Sequence, residues 1–330
     1  MRYKEFLITI IFFALSVGAC WIIQYIEYRP TFKIGINAHS GSEYLQIALE
    51  QKYFEKAGLR VRFVEFGSLQ DVQQAFEWEQ IDAVICPFVD AMVMQCKSDS
   101  YDSKIILFTS YDRSQFTWDL MARSTIKSVK DLKGKKVGVE INSFSNYVLC
   151  RALRTQGVSL QDVELVHVDP TAHLTFLQNE KVDCVVTYWP FSNDLKALGD
   201  ELHSIYSTQE WPREMKLNVL LVQQNKLEFF GKYLSRFIGK WDEILSIYKR
   251  EYSHYHSSVS FMNFPDYYAP LRIIHPLPLS EQISLICNNR YILDLMENIK
   301  TEMLMHNQLD YNAPFESIFD SSVIRNSLKQ

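Results

Sequence analysis

The residues best placed to do chemistry are the hydroxyls of two similar turns. Lys33 to Tyr44 reads K-I-G-I-N-A-H-S-G-S-E-Y, and Lys136 to Tyr147 reads K-V-G-V-E-I-N-S-F-S-N-Y. The two align without a gap, 103 residues apart, and match Lys33 with Lys136, Gly35 with Gly138, Ser40 with Ser143, Ser42 with Ser145 and Tyr44 with Tyr147. Each copy is a short apolar run, a Ser-x-Ser turn and an apolar helical pattern, so a strand enters a helix whose first turn carries hydroxyls. Such a turn offers backbone N–H groups and the positive end of a helix dipole, which hold an anion or a polar ligand head. That is the chemistry of binding. No cluster of lysines or cysteines marks a nucleophile or a Schiff base.

The elements around these turns repeat as well. Strands are expected at Thr31 to Asn37, Arg60 to Phe66, Ile81 to Cys86 and Lys104 to Thr109, with helices from Gly41, Gly67-Ser68 and Val89 between them. The second set has strands at Lys136 to Ile141, Val163 to Val168 and Val182 to Thr187, and helices at Asn146 to Gln156 and Thr171 to Gln178. Glu79 to Val84 (E-Q-I-D-A-V) matches Glu180 to Val185 (E-K-V-D-C-V) 101 residues on, and both strands run to a Pro-Phe, Pro87-Phe88 and Pro190-Phe191. The alternation of strand and helix predicts parallel pairing in two similar βαβ-type units. Thr117 to Arg123 and Leu217 to Val222 are the expected crossovers. After Lys226 the pattern is helical at Leu227 to Tyr255, Ser280 to Asn288 and Tyr291 to Leu304, and Asn263 to Pro278, with four prolines, is expected to be loop.

A chain of 330 residues with 47% hydrophobic and 22% charged content is globular and long enough for two domains. A net charge of −5 and the lack of a basic stripe with interleaved aromatics give no nucleic-acid partner. Arg2 and Lys4 precede the uncharged run Phe6 to Ile26. Two anchors fit that run: a signal peptide ending in the lipobox-like Val17-Gly18-Ala19-Cys20, lipidated at Cys20, or an uncleaved membrane-spanning helix. Either places Arg29 onward outside the cytoplasm. Of the six cysteines none forms a C-x-x-C pair, and Cys86, Cys150 and Cys184 lie in apolar runs as small buried hydrophobes. His254-x-His256 is two histidines without a completing ligand, so no metal is expected. No cofactor is expected either.

Several segments, in order, resemble the substrate-binding proteins of ABC importers, in the nitrate/sulfonate/taurine-like branch that also holds thiamine-precursor binders. They are the run from Lys33 to Val61 with its K-Y-F-E-K-A-G-L, F-G-S at 66–68, S-V-K-D-L-K-G-K-K-V-G-V-E at 128–140, V-D-C-V-V-T-Y-W-P-F at 182–191 and P-F-E-S-I-F-D-S-S-V-I at 314–324. The resemblance implies the type II periplasmic-binding-protein fold, which is α/β. Two lobes with mixed, mostly parallel sheets are joined by two hinge strands, and the ligand sits in the cleft between them. It divides the chain into 1–30 as signal or anchor, 31–116 as the first part of lobe I, 117–221 as lobe II, and 222–330 as the return to lobe I with C-terminal helices. His39 stands where many relatives have Trp, Phe116-Thr117-Trp118 replaces a Gly-Ala-Asp run, and Tyr188-Trp189 replaces a Trp and an acid.

Open parallel sheets bind ligands at strand C-terminal ends and helix N-termini. The candidate ligand-binding residues are therefore His39, Ser40, Ser68, Pro87 and Asp112 from lobe I, and Ser143, Ser145, Tyr188 and Trp189 from lobe II. Trp118 is an added aromatic face for stacking. Each has a plain structural alternative: Ser68, Ser143 and Ser145 as helix caps, Trp189 as hinge packing, His39 as a turn residue and Asp112 as an ion-pair partner of Arg113 or Arg123. The expected function is a monomeric, membrane-tethered extracytoplasmic receptor that passes a sulfonate-, carboxylate- or heteroaromatic-type solute to an ABC permease and its ATPase. An enzyme on the same fold and a ligand-sensing module are the alternatives.

Overall fold

The computed structural model describes Ser16 and residues 30–37, 43–96, 103–112, 117–189, 191–209, 211, 216–255, 274–288, 290–305 and 317–329. The first repeat runs through β1 (Thr31–Asn37), α1 (Glu43–Glu50), β2 (Arg60–Phe66), α2 (Leu69–Glu77), β3 (Ala83–Pro87), α3 (Phe88–Cys96) and β4 (Ser103–Asp112). The second comprises β5 (Trp118–Arg123), β6 (Lys136–Val139), α4 (Phe144–Thr155), β7 (Glu164–His167), α5 (His173–Gln178), β8 (Cys184–Tyr188), α6 (Phe191–Lys196) and β9 (Leu202–Ser207). The chain then returns through β10 (Leu217–Gln223), α7 (Gln224–Ile238), α8 (Trp241–Tyr255), β11 (Ile274–Pro276), α9 (Arg290–Met305) and α10 (Ser322–Ser327).

The strands form two sheets, in the orders β11-β4-β10-β3-β1-β2 and β7-β6-β8-β5-β9. Set side by side, the second repeats the first: β7-β6-β8 corresponds to β2-β1-β3, β5 to β10 and β9 to β4. Both crossover strands are therefore central. β10 lies antiparallel between β3 and β4, and β5 lies antiparallel between β8 and β9. The reason is burial: all seven residues of β10 and five of six in β5 are buried, which fits a strand covered on both faces. β4 keeps the direction expected of it, but it pairs with β10 and β11 rather than with β3. The sheets are thus mixed, with parallel pairing at β1, β2 and β3 and at β6, β7 and β8. β10 belongs to the first sheet along its whole length, so the return to that sheet begins at Leu217. The sequence pattern passes over two strands, β9 and β11, the latter within the proline-rich stretch. The helical stretch after Lys226 is two helices that break at Gly239-Lys240.

The repeat is physical as well as lexical. Before β3, the Asp82 carboxylate accepts from Lys33 N–H (2.8 Å) while its own N–H donates to Lys33 O (2.9 Å). Before β8, Asp183 does the same to Lys136, at 2.9 and 2.8 Å. Each aspartate brackets the first residue of the paired strand segment and fixes the register of the parallel pair. Ahead of each bracket, Glu79 and Glu180 take left-handed φ values of 54° and 55°. The shared glycines have one role. A Cβ on Gly35 would lie 2.3 Å from Ile81 Cδ1, and one on Gly138 would lie 3.1 Å from both Val168 and Val185. At both positions the strand must pass close beneath apolar side chains.

Removing either aspartate leaves a strand N–H without its acceptor. Asp82→Ala and Asp183→Ala should each destabilise the chain by about 1–3 kcal/mol, measured by chemical denaturation. Losses of less than a few tenths would show that the bracket does not hold the register.

Candidate functional site

The C-terminal ends of the parallel strands in the two sheets face each other, and the groups there bond directly across. From the first unit, the turn after β2 ends in Ser68. This residue caps α2 by accepting from Asp71 N–H at 3.1 Å. The first N–H of that helix, on Leu69, donates to Glu140 Oε1 at 3.3 Å. Glu140 follows β6 in the second unit. Its other oxygen accepts from the Tyr188 hydroxyl at 3.0 Å.

A reverse contact lies beside it. Asp90, in the first turn of α3, accepts from the N–H of Phe144, the first residue of α4, at 2.8 Å. Gln73 on α2 joins the two, reaching Asp90 Oδ1 at 3.5 Å and Asn142 O at 3.4 Å. Asn142 takes a φ of 62°, and it turns the chain from β6 into the helix. Each unit thus sets a carboxylate on the N-terminal end of a helix in the other.

Glu140 is 1% exposed. Burial raises its carboxyl group from an ordinary value near 4.5 to about 7, and the nearby acids Asp169 and Asp71 add to this. The hydrogen bonds from Tyr188 and Leu69 pull the other way and do not compensate. Tyr188 is raised in turn, by burial first and then by Glu140.

The aromatic residues form a cluster on the second-unit side. Trp118 packs edge-on against Phe144 at 4.6 Å and lies 5.4 Å from Tyr188. Trp211, in the crossover between β9 and β10, packs edge-on against Phe144 and Tyr147 at 6.0 and 5.9 Å. Beyond the cluster, Glu302 of α9 accepts from Tyr147 OH (3.1 Å), Arg151 Nη1 (3.1 Å) and Arg154 Nε (2.8 Å), three groups of α4. Arg151 also lies over the Trp211 ring at 5.1 Å.

The candidate residues fall into three sets. Ser143, Ser145, Tyr188 and Ser68 gather around Glu140. Ser143 Oγ donates to Glu140 O at 2.7 Å and accepts from Ser145 N–H at 3.1 Å, so it caps α4 and orients the Glu140 backbone at once. Trp118, Trp189 and Pro87 are buried at strand ends or in the aromatic cluster, and Pro87 pairs with Asn218 of β10. Asp112 ends β4 opposite Ile274, and only its backbone is described. His39, Ser40, Cys20 and His256 lie outside the described residues. Among the described residues no group of three or more His, Cys, Asp or Glu side chains could hold a metal, and no helix is long and apolar enough to cross a membrane.

Sequence reasoning missed Glu140, Asp90, Phe144 and Glu302. A signal existed for two of them. Glu140 closes the quoted run 128–140, and Asp90 is an acid inside an apolar helical pattern, where a charge demands a partner.

The chain belongs to the NMT1/THI5-like family, whose model matches residues 42–239. By sequence it is similar to the taurine-binding periplasmic protein of Escherichia coli, 29% identical over 92 residues, 28% of this chain and 29% of that protein. Curated relatives are matched over about a quarter of their own length. By structure it is similar to the alkanesulfonate-binding protein SsuA from Xanthomonas axonopodis pv. citri bound to MOPS. The TM-score is 0.62 at 16% identity, covering 82% of this chain and 94% of that one. The desulfurization enzyme DSZB is similar too, with a TM-score of 0.61 at 14% identity over 91% and 99% of the two chains. At these identities the likeness establishes the fold, which is that of the periplasmic binding proteins.

The raised Glu140 carboxyl gives a pH dependence whose sign is fixed. Between about 4.5 and 7 the folded chain keeps a proton that the unfolded chain has lost, so this group's contribution falls as pH rises through that window. The gap corresponds to roughly 3 kcal/mol. Glu140→Gln should remove that slope, making the variant gain stability relative to wild type between pH 5 and pH 8 in denaturant titrations. Parallel curves for the two proteins would place the charge of Glu140 in water.

Proposed function

We propose that this chain is the extracytoplasmic solute-binding protein of an ABC importer, tethered to the membrane by its N-terminal segment. It holds one small organic solute between the two units and delivers it to the permease and its ATPase. The observation that supports this reading most directly is the convergence, across the cleft, of two helix N-termini, the buried acids Glu140 and Asp90, and an aromatic cluster. Two units with central crossover strands can turn relative to one another and close around such a solute. The apolar run Phe6 to Ile26 supports the tether, and the names of the similar binding proteins support transport. Sulfonates, carboxylates and flat heteroaromatic compounds are the solute classes in question.

The likeness to DSZB favours a second reading, an enzyme on the same fold. The buried thiols do not strengthen it. Burial raises the pKa of Cys86, Cys150 and Cys184, which keeps them protonated and poorly nucleophilic at neutral pH.

The two readings separate in one experiment. The full-length chain is screened by thermal shift against sulfonates, carboxylates, pyrimidines, amines and nitrate, and each compound is followed for turnover. A receptor is stabilised by one class, by about 2.7 kcal/mol at one hundred times the dissociation constant, with the compound recovered unchanged. Steady conversion would favour the enzyme, and silence across the panel would remove the receptor reading. For a compound that binds, Trp189→Ala should weaken affinity in the folded fraction, beyond the stability lost with a buried ring. Unfolding with unchanged affinity in the folded fraction would make Trp189 a packing residue.

A further inference from the structure

The two helix N-termini that face the cleft are already occupied by the protein's own carboxylates. Glu140 of the second unit accepts from the first N–H of α2, and Asp90 of the first unit accepts from the first N–H of α4. A sulfonate or carboxylate solute held at a helix N-terminus would need those same N–H groups. It would also enter a field of like charge. Asp71 and Asp169 act on Glu140 from α2 and from just beyond β7. Asp90 and Asp169 act, with Glu140, on Tyr188. Like charges set against a partner are a common means of rejecting it.

The same groups favour the opposite charge. The carboxylate oxygens of Glu140 point to donors, Leu69 N–H and Tyr188 OH, and the first of these is lost when the units separate. A solute N–H can take its place. Behind Glu140 stand the aromatic rings of Tyr188, Trp118 and Phe144, whose electron-rich faces attract a cation.

Resting on the receptor reading above, we propose that Glu140 sets the charge selectivity of this cleft. It rejects anionic solutes and takes a cationic or N–H-bearing head onto Glu140, with the solute body against the Tyr188–Trp118–Phe144 cluster. In this respect the chain parts from the alkanesulfonate-binding protein whose fold it shares.

The test is isothermal titration of the full-length chain with benzamidinium and with 1-propanesulfonate at matched ionic strength and at about pH 8, above the raised Glu140 value of about 7, so that the carboxylate is charged. Wild type should bind benzamidinium more tightly than propanesulfonate by about tenfold or more. Glu140→Gln keeps the shape and removes the charge, and it should lose about tenfold for benzamidinium. Glu140→Ala vacates the N-terminus of α2 and should gain propanesulfonate binding; if it fails to fold, the glutamine variant decides. Wild type that takes propanesulfonate as tightly as benzamidinium overturns this inference and leaves the receptor reading standing. So does a glutamine variant that binds benzamidinium unchanged. If wild type ignores both probes but answers to another member of the solute panel, an anionic compound overturns the inference and a neutral or cationic one supports it. A chain that answers to nothing overturns both readings.

Discussion

A carboxylate taken out of water must find donors, and in this chain the donors come from the other half of the molecule. Glu140 and Asp90 are each buried, and each is met by the first backbone N–H of a helix belonging to the opposite sheet. A lost hydrogen bond to a buried charge costs more than an ordinary one, so the two units favour the arrangement in which both are met. The turn at Asn142, the bridge through Gln73 and the hydrogen bond from Ser143 to the Glu140 backbone all maintain those two contacts. The cleft is organised by charges that the protein supplies to itself.

The architecture that brings these groups together is a duplication, and duplication left its clearest mark on the backbone. The aspartate brackets, the close-passing glycines and the left-handed glutamates are kept in both halves because each serves a strand–turn–helix unit that must fold alike. Matched side chains nevertheless meet different neighbours. Tyr44 packs edge-on against Trp241 and Tyr248 in the helices of the first unit. Its counterpart Tyr147 hydrogen-bonds Glu302 and packs on Trp211. One copy serves its own core, and the other faces the junction.

This difference explains what could be read from the sequence. Gly35 and Gly138, Asp82 and Asp183, and the Ser143-Phe144-Ser145 turn were legible because their roles are local and their spacing records them. The family resemblance carried the two-sheet arrangement. Strand direction was not legible: apolar runs such as Leu217 to Val222 announce a buried strand but not which neighbours it pairs with or which way it runs. The partners of Glu140 were also hidden, since Leu69 lies 71 residues away and offers a backbone N–H, which no residue type advertises. Ser68 and Ser143 could be read as caps or as ligand contacts, and their hydrogen bonds in the fold are those of caps.

Glu302 bears on how such a molecule can move. It belongs to the returning part of the chain, yet it is held by Tyr147, Arg151 and Arg154 of the second unit, with Arg151 also lying over Trp211 in the crossover. The clasp is thus fastened beside the connection between the units. In the closure proposed above it would be a third bearing close to the pivot: points near an axis sweep short arcs, so this joint would stay engaged while the cleft opens. A linkage of this kind would narrow that closure to rotation about one line and suppress the sliding that two bare strands would allow.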